Sequence, residues 1–153
     1  MSFKIRLSNT VPNGNARARS NRTIPPSVES IQEELDKILA SKAFLRSERL
    51  SRFLRFTVEQ VLKGQGDSLK EYTLGVEVFD RGDSYDPRID AVVRVEARRV
   101  RSKLTEFYQT EGRDDSVLIC LPKGSYVPIF QTRESALAQA SGNKFKLASL
   151  YSW

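Results

Sequence analysis

Histidine is missing altogether from the 153 residues. Its absence removes the Ser-His-Asp and Cys-His arrangements of nucleophilic catalysis, imidazole-ligated metals and the usual general base near neutral pH. Cysteine occurs once, at Cys120, so no disulfide forms within the chain. A lone thiol fits a reducing compartment, and a cytoplasmic location is expected. No apolar run approaches the roughly 20 residues that a membrane helix needs. The opening M-S-F-K-I-R-L lacks the long apolar core and small-residue cleavage site of a secretory signal. G-x-x-x-x-G-K-[ST] and G-x-G-x-x-G are absent too, and Lys123-Gly124-Ser125 has the wrong order for a phosphate loop. No enzyme, small-molecule substrate or cofactor is therefore expected. Asp80, Asp83, Asp86 and Asp90 crowd one stretch, but their spacing does not match the D-x-D-x-D-G calcium loop, and no metal is expected.

What is present is positive charge. The formal net charge is +6, a balance that favours polyanions such as nucleic acid or an anionic membrane surface, although many basic proteins bind neither. Hydrophobic residues make up 39% of the chain, enough for one core with loose ends. The charge is densest at residues 90–108, D-A-V-V-R-V-E-A-R-R-V-R-S-K-L-T-E-F-Y. There Val93, Ala97, Val100, Leu104 and Phe107 recur at helical spacing and form one apolar stripe. Arg94, Arg98, Arg101 and Thr105 share the neighbouring face, while Arg99 and Lys103 lie one turn apart on the other flank. A basic ridge beside an apolar seam suits a helix that packs on a core and faces a polyanion, and it also describes an ordinary solvated face.

In chain order, residues 1–26 read as a flexible basic arm carrying Arg17, Arg19 and Arg22, with one short strand candidate at 3–7. A first helix is predicted over 28–41, capped by Ser27, with Ile31, Leu35, Ile38 and Leu39 as its apolar stripe. A second, over 47–64, carries the strongest core pattern, Leu50, Phe53, Leu54, Val58, Val61 and Leu62. Its arginines at 46, 49, 52 and 55 read mostly as a solvated face. A third, over 69–79, is predicted from a capping box at Ser68 and Glu71, with Tyr72, Val76 and Phe79 buried and Gly75 allowing a close neighbour. Residues 80–89 form a loop, and Asp90 can cap the basic helix. A hairpin follows over 117–130, turning at Pro122-Lys123-Gly124-Ser125 with Lys123 at its tip and Pro128 in an edge strand. Cys120 reads as a small core or edge residue. Residues 131–153 form a polar tail that ends in an apolar stretch.

Helices, a tight junction, a basic helix and a hairpin tipped with lysine stand in the order of a winged helix-turn-helix, mainly α with a C-terminal β-hairpin wing (α+β). The domain spans 27–130. V-R-V-E-A-R-R-V-R-S-K-L followed by V-L-I-C-L-P-K-G-S-Y resembles the recognition helix and wing of OmpR/PhoB-type domains. Val100-Arg101-Ser102-Lys103-Leu104 matches the end of that helix, and Lys123, Gly124 and Tyr126 match the wing turn. More closely, residues 47–130 resemble the N-terminal module of bacterial proteins labelled adenylate-cyclase-like or transcriptional regulators, through S-E-R-L-S-R-F-L-R-F, L-K-E-Y-T-L-G-V-E-V-F, D-P-R-I-D and L-P-K-G-S-Y-V-P-I-F.

The resemblance implies a transcriptional regulator that places residues 90–108 in the major groove of double-stranded DNA. It puts DNA contacts on Arg94, Arg98, Arg99, Arg101, Lys103 and Lys123, with Arg98 and Arg101 as the main groove contacts. No cyclase chemistry is implied. A homo-oligomer is open on this reading. The competing expectation is a protein-interaction or signalling module of the same fold that binds no DNA, motivated by Glu96 and Glu106 within the basic helix.

Overall fold

Ser27 opens the first helix: its hydroxyl accepts the Ser30 amide at 3.1 Å and starts α1 (Val28–Ala40). The structure is a computed structural model that describes residues 24–141. The strand candidate at 3–7, nearly all of the basic arm and residues 142–153 lie outside the described residues. Ser47 likewise accepts the Leu50 amide at the start of α2 (Glu48–Leu62), and Gly64, at φ +76°, reverses the chain after it. Then come a single 3-10 turn at Gly66–Ser68, α3 (Glu71–Glu77), α4 (Val92–Gln109), the antiparallel strands β1 (Val117–Cys120) and β2 (Ile129–Thr132), and α5 (Arg133–Ser141). Among the described residues the architecture is thus α+β, five α-helices and one two-stranded hairpin. None of these helices is long and apolar enough to cross a membrane.

The core is what the helical periods require. Ile31, Leu35 and Ile38 from α1, Phe53, Leu54 and Val58 from α2, and the whole stripe of α4 from Val93 to Phe107 are buried together. Each large side chain withdrawn from water contributes about 1.5–3 kcal/mol. Phe44, in the link between α1 and α2, is fully buried and joins them. Cys120 is buried in β1.

The third helix departs from its sequence reading. It starts at Glu71, because the Ser68 hydroxyl bonds back to the Gln65 carbonyl at 2.7 Å within the 3-10 turn and caps nothing. The buried face shifts to Leu74, Gly75, Val78 and Phe79, while Tyr72 is half exposed and rests on Tyr85 at 5.9 Å between ring centroids. Gly75 meets the neighbour its position suggests: a Cβ there would lie 2.2 Å from Cε1 of Tyr85. Gly75→Ala is expected to cost about 1–3 kcal/mol through overpacking, against about 1 kcal/mol of gained helix propensity. A urea unfolding midpoint equal to wild type would show that Tyr85 yields freely.

Residues 131–141, read from sequence as the start of a tail, instead complete β2 and form α5. Arg133 ties this helix down by donating to the carbonyls of Asp115 at 2.8 Å and Gly112 at 3.2 Å, and Ala136 is buried. The hairpin is also more open than expected. Cys120 pairs with Ile129, so residues 121–128 form a loop and Pro128 precedes the second strand.

One acid sits inside this core. Glu34 falls on the apolar stripe of α1 and is only 5% exposed. The Tyr108 hydroxyl donates to it at 3.0 Å while accepting the Ile119 amide at 2.8 Å, linking α1, α4 and β1. Burial, then the adjacent Asp115 carboxylate, push Glu34 up to about 7. Lys37 binds one Asp115 oxygen at 2.8 Å; the other, Oδ2, is buried with no partner among the described residues. A proton on Glu34 supplies the donor that this carboxyl pair lacks.

Candidate nucleic-acid interface

Because Val93, Ala97, Val100, Leu104 and Phe107 all point into the core, α4 must turn Arg94, Val95, Arg98, Arg99 and Ser102 outward. Its first turn is held by Asp90, whose Oδ1 accepts the Val92 amide at 3.0 Å and whose Oδ2 takes Arg81 at 2.7 Å. The cap position itself falls to Ala91, which has no side-chain cap bond, so Asp90 holds the helix start from one residue earlier than expected. The 121–128 loop folds back beside the same side of α4. Gly124 stands at φ +79° and Ser125 donates its amide to the Pro122 carbonyl at 3.2 Å, which leaves Lys123 at the outermost point of the turn.

Between helix and loop lies a cleft of about 490 Å³ lined by Arg94, Arg98, Arg101, Lys123, Gly124 and Tyr126. Four cations from segments more than twenty residues apart in sequence thus share one opening. They are not equivalent. Arg98 and Lys123 are exposed and make no hydrogen bond or ion pair among the described residues. Arg94 is held by Glu71 of α3 at 2.6 Å and by the Pro87 carbonyl at 2.9 Å. Arg101 is half-buried and donates from Nε to the Leu121 carbonyl at 3.3 Å and from Nη2 to the Ser125 carbonyl at 2.9 Å. Burial is the chief reason its pKa is drawn below the ordinary arginine value. Tyr126 forms part of the wall, and burial raises its phenol above the usual range. No family model, curated protein or solved structure matches the chain.

Arg99 and Lys103 lie outside the cleft, as their place on the other flank of the helix requires. Arg99 donates to Glu96 at 3.2 Å, and Arg49 of α2 reaches the same oxygen at 3.7 Å while its guanidinium lies 5.6 Å from the centre of the Phe79 ring. Glu96 is 4% exposed, and a buried carboxylate stripped of its cations costs about 3–5 kcal/mol. Arg99 is therefore engaged in structure. Lys103 pairs with Glu106 at 3.0 Å on an open surface, a bond worth about 0–1 kcal/mol and easily exchanged for another anion.

Two of the arginines expected to contact DNA already have partners within the protein. Arg101 does not present a free guanidinium, because two loop carbonyls already occupy its fork. Arg99 is not a spare cation, because it helps neutralise a buried acid. The aspartates of residues 80–90 are likewise largely engaged, Asp80 with Arg52, Asp86 with Arg88 and Asp90 with Arg81. Among the described residues no group of three or more His, Cys, Asp or Glu side chains gathers to hold a metal.

Proposed function

We propose that this domain is a winged helix-turn-helix that binds double-stranded DNA and serves as a transcriptional regulator. α4 lies in the major groove and the 121–128 loop lies against the neighbouring backbone. The observation that carries the reading is the shared cleft: Arg98 from the helix and Lys123 from the loop face one opening, and neither has a protein partner among the described residues. Unanswered cations on a helix and on the loop facing it suit phosphates on a duplex, since neutralising phosphates supplies a large share of the affinity of such domains. The major groove, about 12 Å wide, admits one helix. The likeness of R-V-E-A-R-R-V-R-S-K-L and L-P-K-G-S-Y to OmpR/PhoB-type domains supports the same reading. Arg98 then reads or grips the groove, Lys123 holds phosphate, and Arg94 and Lys103 are secondary contacts that must first release Glu71 and Glu106.

A second reading is a protein-interaction module that binds no DNA. It is favoured by the number of acids, Glu71, Glu96 and Glu106, that already answer cations of α4. Titration of mixed-sequence duplex DNA at rising salt separates the two. Binding that is tight at low salt and weakens linearly on a log–log plot supports the first; no binding at low salt supports the second.

A further inference from the structure

The Lys123 turn is not held by its own backbone alone. Its two feet, the carbonyls of Leu121 and Ser125, are both gripped by the guanidinium of Arg101, which rises from α4. A planar fork with donors on different nitrogens can bridge two acceptors at once, and a lysine ammonium has no such geometry. Among the described residues the turn itself contributes the Ser125 to Pro122 bond and, just beyond it, the Val127 amide on the Ser125 hydroxyl at 3.1 Å. Arg101 is half-buried, while Arg98, one turn earlier, is exposed.

We propose that Arg101 is a positioning residue: it clamps the Lys123 turn to α4 and acts on DNA through that turn, without its own contact to the duplex. The proposal rests on the DNA-binding reading for its second half only. Helix and loop then meet the duplex as one edge, and Arg101, with the buried Leu121, fixes the spacing between Arg98 and Lys123.

The test has one arm without DNA and one with it. In the free protein, Arg101→Ala and Arg101→Lys are each expected to speed amide exchange at Ser125 and Val127 by about tenfold, while Arg98→Ala leaves both unchanged. Unchanged exchange in both Arg101 variants overturns the clamp, whatever the protein does with DNA. In duplex titrations, Arg101→Ala is expected to weaken binding by about the same factor as Lys123→Ala, and the double variant to lose no more than about twofold beyond Lys123→Ala alone. Arg101→Lys, which keeps the charge and loses the fork, is expected to bind like Arg101→Ala. Losses that multiply in the double variant, or wild-type binding by Arg101→Lys, would show that Arg101 touches the duplex itself and overturn the second half. A wild type that binds no duplex at low salt sinks the DNA reading and that second half together, and leaves the exchange result to judge the clamp.

Discussion

Replacing Arg98 and Lys123 together by alanine is expected to weaken duplex binding roughly 100-fold at about 0.1 M salt, each change contributing about tenfold. The two side chains are exposed and unpartnered among the described residues, so their removal leaves no buried group stranded, and the fold is expected to keep its stability within about 0.5 kcal/mol. The loss is therefore a loss of contact. Each cation that releases a counterion from the duplex contributes about 0.9 to the slope of log affinity on log salt, so the double variant should fall short of wild type by about 1.8 in that slope if both residues lie on phosphates. A smaller change in slope, with affinity lost mainly on one sequence, would mark Arg98 as a base contact. Arg99→Ala gives the contrast. It should lower stability, because Glu96 then keeps only the more distant Arg49, and should change the salt slope little. Equal binding by wild type and the Arg98/Lys123 variant would remove the cleft from the DNA interface.

Stability is expected to fall as pH rises from about 4.5 to 7, and Glu34→Gln to abolish that component. Glu34 keeps its proton in the folded state up to about 7, whereas the unfolded chain releases it near 4.5. Between those values the folded state binds more protons, so ΔG of unfolding decreases with pH across that window and is level above it. The full interval corresponds to about 3 kcal/mol. Glutamine supplies a permanent N–H donor to the Asp115 carboxylate and still accepts from Tyr108, so it should match wild type near pH 4.5 and exceed it by about 2–3 kcal/mol at pH 8. Lys37, on the other Asp115 oxygen, faces the pair in both proteins. Asp80 and Asp86, held below the usual carboxylate range by Arg52 and Arg88, act below this window and are the same in both proteins. Urea unfolding of both proteins across this range measures it. A difference that does not change with pH would show that Glu34 carries no proton in the folded state across this range.

Much of the fold was legible before any coordinates. The stripe Val93, Ala97, Val100, Leu104 and Phe107 is a matter of period alone, because a side chain's direction on a helix depends only on its index. The same rule put Arg94, Arg98 and Arg101 on one face and Arg99 and Lys103 on the other. Ser27 announced its helix because a cap acts within three residues. α3 starts later than its pattern suggests because the Ser68 hydroxyl could accept the Glu71 amide ahead of it or donate to the Gln65 carbonyl behind it, and the local sequence does not say which. The buried acid shows in the sequence only as a glutamate three residues after Ile31 on an apolar stripe, where an exposed residue would look the same.

What the sequence by itself determined, then, is which side chains share a face and where turns fall, since those follow from backbone geometry over a few residues. Arg99 and Lys103 find their acids three positions away on the same helix, but only the tertiary structure decided which cations of the cleft are free. Glu71 lies 23 positions from Arg94, and the Leu121 and Ser125 carbonyls lie 20 and 24 positions from Arg101. A charge is spent or spare according to what distant segments bring within about 3 Å of it, and no local period records that distance.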